Sequence, residues 1–527
     1  MIKVNKKNKA KNKAFEFLTI FSMVFGVVVG GGIYLKNSGE NGVLAQAGNN
    51  PYLALAVWVF IGVLCSLMML TFIEAASSKT KSGHSTAQSW ANTFVNRKTA
   101  SLFSIMYICM YLPILTSIGA LFVVKTFFEG IEVFTNTSFV STMGREGFMA
   151  LKIFLSTVIL VGFSLMNIYT QKPSKLIQSV LTFVKFIPLL CVVIGGFAIF
   201  IKDPSGENSF NQWHNGQHDN VNGFNLFFAT AVPILFAFDG FIYAATLQKD
   251  CEHKEVVAPA MLSAIIAVTI FYVLITVGIF FGAKDGDIFK FFDTLFKENP
   301  WVSLLFKVII TCTLFTVVNG YTTLIPKTVQ SAVEEGFIFS KSEKKDISIQ
   351  KAGYIGMAIT LSVYTLFLII SIAIGYANGD KDKEINYFLV ADLASSSTVI
   401  FAFIAYLIIM IGVLHNRRTN KVEVRKVKGG FVIGIITTIL VTIMVGYICY
   451  VYLIDRLLPD SKGSIIDPIL LIVFSIIIFI SWVINECLFS KQDIDNNDFI
   501  LRINPKNWFK YNKELEIEKF KSKSNVK

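Results

Sequence analysis

The sequence predicts an all-α polytopic membrane protein with twelve transmembrane helices. Of the 527 residues, 54% are hydrophobic and only 16% are charged, whereas an ordinary soluble domain has roughly 25% charged residues. Apolar windows of about 20 residues recur from Phe15 to Phe489, and each can cross a hydrocarbon layer of about 30 Å as a helix. Runs such as Leu470 to Phe474 show no alternation of polar and apolar residues, which argues against membrane-spanning strands.

The twelve spans follow from the ends of the apolar runs. Their approximate positions are 15–36, 52–76, 100–128, 147–169, 176–201, 224–247, 258–282, 301–328, 353–375, 387–414, 430–454 and 465–489. They divide the chain into a basic N-terminal segment (1–14), five spans (15–201), five further spans (224–414), two last spans (430–489) and a tail (490–527). The connections are too short to build a soluble core, so any site is expected within the membrane bundle.

The distribution of basic residues predicts the orientation of the chain. Segment 1–14 holds six Lys and Arg residues, and the loops at 77–99 and 413–429 hold four and six. The loops on the other side, at 37–51 and 129–146, hold none and one. We therefore expect both termini in the cytoplasm and the protein in the cell membrane. Lysines beside spans also contact anionic lipid headgroups, so the net charge of +12 requires no nucleic-acid partner.

Cysteine and histidine spacing predicts no disulfide framework, no metal site and no other cofactor. The seven cysteines lack paired spacing, and cysteines within spans are ordinary small residues of a packed bundle. His214 and His218 stand four apart in a loop, but two imidazoles without a third ligand make a poor metal site. No nucleophile, acid–base pair or metal cluster stands at a membrane face, so a polytopic membrane enzyme is the less favoured class.

The first span contains four glycines within seven positions: Gly26, Gly30, Gly31 and Gly32. Each glycine costs about 1 kcal/mol of helix propensity relative to alanine, and three in a row favour an unwound stretch with bare amides. In lipid, an unwound segment is tolerated only where it faces protein or a water-filled cavity. Close helix packing through small residues is the alternative, but a pair formed by Gly26 and Gly30 leaves the next two glycines unexplained.

The sixth span carries a second interruption, in which Pro233 is followed by Asp239 and Gly240. Proline removes a backbone donor, glycine loosens the helix, and a carboxylate within the membrane marks a functional site. Asp239 lies about fifteen residues into its span, as Gly30 does in the first span, and the two spans run in opposite directions. Matching interruptions predict two inverted repeats of five helices, two extra helices, and a central site typical of transporters.

Lys185 lies nine residues into the fifth span, or about 13 Å deep at 1.5 Å per residue. This depth exceeds the easy reach of a snorkelling side chain. Two interpretations stay open. Either the lysine exchanges protons during a functional cycle, or it stays charged and bonds the carbonyls of an unwound neighbour.

Other polar residues within the spans give weaker signals. Charged residues near span ends are expected to reach the membrane surface or line vestibules; they are Glu74, Lys125, Lys152 and Lys327. A second set could line a polar path or satisfy one another inside the bundle; it comprises Tyr107, Tyr111, Asn319, Tyr321, Thr322 and Thr323. A third set could form a gate or only a polar helix contact; it comprises Asp392, Ser395, Ser396 and Ser397.

Three of these stretches resemble motifs of the amino acid–polyamine–organocation superfamily. Gly26 to Tyr34 is similar to the Gly-x-x-x-Gly-Ser-Gly-Ile-Phe motif of its first helix. Phe236 to Phe241 resembles the Phe-Ala-Tyr-x-Gly-Phe/Trp motif of its sixth helix, and Lys185 to Leu190 is similar to its fifth. The resemblance covers nearly the whole chain. It implies the leucine-transporter-type fold, with five plus five inverted helices of which the first and sixth are broken, and transport of amino acids or related amines.

The resemblance also implies a substrate site that comprises Gly30, Gly31, Gly32, Phe236, Ala237, Phe238, Asp239 and Gly240. The amides of the three glycines are expected to hold the substrate carboxylate, and the carbonyls of residues 236–238 to hold its amino group. Asp239 either contacts a cationic substrate or holds nearby backbone amides. Lys185 is expected to couple protons to transport.

The chain departs from the family pattern at two places. Gly31 stands where many members have serine, which removes a hydroxyl from the carboxylate site. Residues 250–259 replace the usual Glu-x-x-Asn-Pro-x-Arg run after the sixth helix. The leading hypothesis is a proton-coupled amino acid permease that works by alternating access. An amino acid or amine exchanger without obligatory proton coupling is the alternative, and sodium is a second candidate for the coupling ion.

Overall fold

The computed structural model describes residues 6–39, 41–78, 86–170, 172–216, 222–242, 254–340, 347–377, 385–458 and 463–494. Every regular element within these residues is a helix. Among them, eleven helices are long and apolar enough to cross a membrane. The prediction of an all-α polytopic membrane protein is therefore confirmed.

The eleven long helices coincide with eleven of the twelve predicted spans. Their bounds are Lys6–Val28 with Gly32–Lys36, Pro51–Ala76, Arg97–Thr135, Arg145–Tyr169, Lys172–Val184 with Phe186–Lys202, Lys254–Gly282, Pro300–Glu334, Ile349–Ala377, Leu389–Thr419, Gly430–Leu453 and Ile466–Ile494. Short helices lie in the connections, at Val43–Gln46, Ala87–Phe94, Phe139–Met143, Ser209–Asn215 and Ile288–Leu295.

The sixth predicted span corresponds to Gly223–Phe238, a helix of 16 residues that ends at a turn formed by Asp239 and Gly240. Residues 241 and 242 are helical again, and the remainder of this predicted span lies outside the described residues. The count of twelve spans and their division into two inverted repeats therefore stay predictions.

Local sequence explains where several helices begin and where the third span widens. Asn50 caps the second span by accepting a hydrogen bond from the amide of Leu53, and Pro51 fills the first helical position. In the third span a π-helical turn, Tyr107–Tyr111, precedes Pro113, whose nitrogen cannot donate to the turn before it. Such widened turns are frequent at functional sites, and this one faces the interruption in the sixth span.

The third span is the central helix of the bundle. Within its most apolar window 94% of the residues are buried, against 33% in the fourth and fifth spans, which face lipid more widely. The eighth span packs along the third, and a Cβ at Gly119 would already lie 3.1 Å from Cγ2 of Val318. The two spans thus approach closely because a glycine stands at their contact.

A glycine contact between the fifth and seventh spans leads to a stability prediction. A Cβ at Gly196 would lie 2.3 Å from the carbonyl oxygen of Gly278, which is backbone and cannot move aside unless a whole span shifts. We expect Gly196→Ala to cost about 1–3 kcal/mol of folding free energy, as overpacking usually does. The melting temperature of the purified protein in detergent should fall by several degrees.

Gly162→Ala is the matched control for this measurement, because a Cβ at Gly162 meets no atom within 4 Å. We expect the control to melt at the wild-type temperature or slightly above it. Equal melting temperatures for the two variants would show that the backbones of the fifth and seventh spans do not touch at Gly196.

Candidate functional site

The first span is interrupted between Val28 and Gly32. Its long helix ends at Val28, and the short helix Gly32–Lys36 follows. In an unbroken helix the carbonyls of Gly26 and Val28 would accept from amides four residues later. Here the Gly26 carbonyl accepts a hydrogen bond of 2.6 Å from Lys185 Nζ, and the Val28 carbonyl accepts one of 2.8 Å from the Tyr272 hydroxyl. Side chains of the fifth and seventh spans thus satisfy two of the carbonyls beside the break.

The sixth span is interrupted at Asp239 and Gly240. Gly240 has a φ of +106°, a backbone conformation that residues with a Cβ rarely adopt, so this turn requires glycine. The Ala237 carbonyl at the break accepts a hydrogen bond of 3.1 Å from the Tyr272 hydroxyl. That hydroxyl has one proton to donate and two carbonyls in reach, one in each broken span. A single tyrosine therefore links the two breaks.

The two breaks face each other at backbone contact distance. A Cβ on Gly32 would lie 2.9 Å from Ala237 Cα and 3.3 Å from the carbonyl oxygen of Phe236. A Cβ on Gly31 would lie 2.5 Å from Cγ2 of Val317 in the eighth span. Both positions need glycine for this approach. The structure thus brings Gly32, the last glycine of the triplet, beside residues 236 and 237.

Several residues at the two breaks are partly exposed, although some of their neighbours are fully buried. Partial exposure is shared by Gly30, Gly32, Phe236, Asp239 and Gly240. By contrast, Val29, Ile33 and Phe238 are 0% exposed. Val27, whose Cγ1 lies 3.9 Å from the Cβ position of Gly240, is 49% exposed. Both breaks therefore keep some exposed surface, at the level where the two helices are interrupted.

The unwound segment contains amides that take no part in backbone hydrogen bonding. Within the described part of the chain, neither Gly30 nor Gly31 donates to a backbone carbonyl, although the Gly30 amide faces the Tyr272 hydroxyl. The next residues, from Gly32, begin a helix whose first amides have no intrahelical partner. Amides that bond no backbone carbonyl suit an anion, and the carbonyls at the end of the sixth helix suit a cation. The arrangement therefore matches both ends of a small zwitterion.

Lys185 forms the turn between the two helices of the fifth span and is 4% exposed. Its ammonium donates to the Gly26 carbonyl, and its own carbonyl accepts a hydrogen bond of 2.7 Å from the Tyr34 hydroxyl. The fifth span thus holds the first span on both sides of the break. This geometry matches the interpretation of a charged lysine bonded to an unwound neighbour. Proton exchange at Lys185 stays a prediction.

Asp239 accepts hydrogen bonds from three neutral donors. The hydroxyls of Tyr111 and Tyr406 contact its two carboxylate oxygens, the second at 3.2 Å, and the Gly240 amide donates at 3.0 Å. Tyr107 packs against Tyr111 with ring centroids 4.7 Å apart. The two tyrosines that the sequence marked in the third span therefore lie at the break in the sixth.

A buried ion pair lies at the other end of the short helix Gly32–Lys36. Lys36 Nζ lies 2.9 Å from Asp392 Oδ1, 2.8 Å from Ser395 Oγ and 4.9 Å from the centre of the Phe236 ring. Asn41 donates to the second oxygen of Asp392 at 2.9 Å. A cavity of about 750 Å³, lined by Asn41 and Asp392 among others, lies beyond this pair. The ion pair therefore stands between the cavity and the breaks.

No sequence signal marks Lys36 or Tyr272 as site residues. A lysine at the end of a span is ordinary in a membrane protein, and Tyr272 lies in an uninterrupted apolar run. The sequence does indicate that Asp392 has a partner, because a carboxylate within a span needs one. The structure supplies that partner from the first span.

Two charged residues expected to reach the membrane surface or line vestibules are instead buried. Glu74 is 2% exposed and accepts hydrogen bonds of 2.7 Å from Arg417 Nε and from the Val427 amide. Lys152 is 1% exposed, with its ammonium 3.9 Å from the centre of the Phe148 ring. The expectation was wrong for both because partners inside the bundle offset the cost of burial.

The polar residues of the eighth span form hydrogen bonds with one another and with residues of neighbouring spans. Asn319 accepts hydrogen bonds from Asn167 at 3.2 Å and from Ser174 at 2.8 Å, and Thr322 accepts from Asn167 at 2.8 Å. These contacts join the fourth, fifth and eighth spans and favour mutual satisfaction over a polar path. His218 and residues 250–253, which the sequence had singled out, lie outside the described residues.

A family model and two relatives match the sequence of this chain. A family model described as amino acid permease matches residues 15–484. A protein of Mycoplasma pneumoniae, described as an uncharacterized protein, is 23% identical over 474 residues, which are 80% of this chain and 81% of the relative. The serine/threonine exchanger SteT of Bacillus subtilis is 22% identical over 270 residues, which are 50% of this chain and 53% of the exchanger.

A crystal structure of MhsT in complex with L-phenylalanine is similar to most of the helical bundle. It matches with a TM-score of 0.50 and 15% identity, and the match covers 82% of this chain and 98% of that one. At this level of identity the likeness shows a shared fold.

Proposed function

The chain belongs to the amino acid permease family, and from that premise we propose proton-coupled uptake of amino acids across the cell membrane by alternating access. Family membership and the helical membrane bundle support amino acid transport itself. The observation that carries the proposed mechanism is the pair of helix breaks, which lie in contact with each other and are partly exposed. We take both termini to be cytoplasmic because the basic residues are concentrated in loops on that side.

In this proposal the substrate lies between the two breaks. The amides of Gly30, Gly31 and Gly32 bind its carboxylate, and the carbonyls of residues 236–238 bind its ammonium group. Gly240 supplies the positive-φ turn at which the sixth helix is interrupted. Hydrogen bonds to charged groups contribute about 1.5–3 kcal/mol each, so several of them account for recognition of a small zwitterion.

Lys185 is the proposed coupling group. Its ammonium holds the Gly26 carbonyl through a charge-assisted hydrogen bond of 2.6 Å. Loss of the proton removes the charge that strengthens this bond, and the first span is then held less firmly beside its break. Proton release and movement of the first span are thereby linked at one atom, Nζ of Lys185.

Lys36 and Asp392 are the proposed gate between the site and the cavity of about 750 Å³. Breaking a buried pair by removing one partner typically costs 3–5 kcal/mol, because a charge is left uncompensated. We expect Lys36→Asp and Asp392→Lys each to lower amino acid uptake at least tenfold. The double variant restores opposite charges and should recover a substantial part of the uptake, measured in cells and normalised to protein in the membrane.

Lys284→Glu serves as the control for the gate, since Lys284 and Glu207 form an exposed ion pair with side chains 59% and 84% exposed. Such pairs contribute little, so uptake should not change. A double variant that is no better than either single variant would show that the pair of Lys36 and Asp392 does not act as a unit.

Exchange without obligatory proton coupling is the second candidate, because one relative is named a serine/threonine exchanger. Proteoliposomes separate the two functions. Uptake into empty vesicles that have an alkaline interior supports proton-coupled uptake. Uptake that requires amino acid inside the vesicles, and does not respond to the pH gradient, would replace it with exchange.

A further inference from the structure

Asp239 adds a full negative charge where the sixth helix ends, and a zwitterion does not require it. The carbonyls at the end of Gly223–Phe238 already present the partial negative charge of a helix C-terminus. The Phe236 and Ala237 carbonyls each accept one hydrogen bond, from the Asp239 amide and the Tyr272 hydroxyl, and each keeps a second lone pair that one ammonium group can use. The carboxylate directly after them therefore makes the end of the sixth helix favourable for a second cation.

Among the residues that the structure describes, the groups that contact Asp239 are neutral. Tyr111 of the third span and Tyr406 of the tenth bond its carboxylate, and the Tyr107 hydroxyl contacts that of Tyr406. Tyr321 of the eighth span and Cys65 of the second lie close enough to experience its charge. A carboxylate offers about four lone-pair sites, and Asp239 accepts from three donors. One acceptor position remains, and Asp239 is partly exposed while the third-span tyrosines are buried.

The two buried lysines beside the breaks are engaged elsewhere. Lys185 donates to the Gly26 carbonyl, and Lys36 pairs with Asp392. Within the described residues, Asp239 has hydrogen bonds to hydroxyl and amide donors but no ion pair with a basic side chain. The negative charge beside the proposed substrate site is thus available to a ligand.

We propose that Asp239 binds a second positive charge on the substrate, so that the preferred substrates are amino acids with an ammonium or guanidinium side chain. This inference rests on the proposed function and names its substrate class. The carboxylate supplies the counter-charge, and the surrounding tyrosine rings supply faces that attract a cation. The α-ammonium group stays with the carbonyls of residues 236–238, so the two positive charges of the substrate have separate partners.

The test compares arginine with citrulline, which has nearly the same shape but an uncharged side chain. Purified protein in proteoliposomes is given radiolabelled arginine or citrulline, and the ratio of kcat/KM values is measured. We expect wild type to prefer arginine at least tenfold. Asp239→Asn should reduce the ratio about tenfold, whereas Asp239→Glu keeps the charge and should keep the preference. A ratio that is the same in wild type and Asp239→Asn overturns the inference.

A second comparison, of lysine with the uncharged norleucine, uses the wild-type protein alone. It tests the preference for a cationic side chain even if the Asp239 variants do not fold. A wild-type preference for lysine supports the inference. Transport of neutral amino acids with no preference for either cation overturns it, leaves the proposed function intact, and assigns Asp239 to the backbone turn or to an inorganic cation. Failure to transport any amino acid would instead refute the proposed function.

Discussion

Replacing Gly32 with alanine is expected to abolish substrate binding while the protein still reaches the membrane. The new Cβ would lie 2.9 Å from Ala237 Cα and 3.3 Å from the Phe236 carbonyl oxygen. Both are backbone atoms, so the two breaks would have to move apart. One small molecule must be held at its carboxylate and its ammonium group at once, and a misplacement of about 1 Å can cost about a hundredfold. We expect at least this loss of affinity for the transported amino acid in equilibrium binding.

Gly26→Ala is the matched control in the same span. A Cβ there would lie 3.8 Å from Cγ2 of Thr182, an ordinary contact, so binding should be close to that of wild type. Size-exclusion profiles of both variants in detergent establish that each is folded. Wild-type affinity in Gly32→Ala would mean that the two breaks do not form one binding site.

Replacing Lys185 with methionine is expected to remove pH-driven accumulation. In empty proteoliposomes with an alkaline interior, wild type should concentrate the amino acid, and Lys185→Met should reach only the level seen without a gradient. Two losses cause this result: no group at this position carries a proton, and the Gly26 carbonyl loses its partner. The loss of accumulation should be at least tenfold and should exceed the loss of exchange in preloaded vesicles.

Lys185→Arg separates these two causes. Arginine keeps a permanently charged donor for the carbonyl but does not release its proton in proteins. We expect this variant to fail in pH-driven accumulation as Lys185→Met does. Lys327→Met is the control, because Lys327 is exposed, and it should accumulate substrate normally. Accumulation by Lys185→Arg at the wild-type level would show that Lys185 serves only as a structural hydrogen-bond donor.

The positions of the breaks could be predicted from the sequence because their causes are local. Three consecutive glycines lower helix stability by a calculable amount, and the pair of Asp239 and Gly240 places a carboxylate beside a flexible residue within an apolar run. Both helices end where these residues stand, at Val28 and Phe238. A local signal of this kind needs no knowledge of the neighbouring helices.

The partners of the breaks could not be predicted in the same way. Tyr272 is one of 17 tyrosines, and only the packing of the seventh span against the first and sixth reveals that it reaches both breaks. Lys36 and Asp392 are separated by 356 residues, so no local pattern pairs them. The burial of Glu74 could not be predicted for the same reason, since its partner Arg417 lies in the tenth span.

Tyr272 suggests how the two breaks act together. Its hydroxyl can donate to the Val28 carbonyl or to the Ala237 carbonyl, but not fully to both. Each carbonyl that loses this donor must find another partner in the membrane. A substrate that supplies new hydrogen-bond partners to the broken helices therefore also changes which carbonyl Tyr272 bonds, which is a physical basis for the proposed alternating access.

The most direct test of the site is an experimental structure with the transported amino acid bound. We expect the substrate carboxylate within about 3.2 Å of the amides of Gly30 to Gly32, and its ammonium group within the same distance of the carbonyls of residues 236–238. An amino acid bound only in the cavity beyond Lys36 and Asp392, with the two breaks unoccupied, would contradict the proposed site.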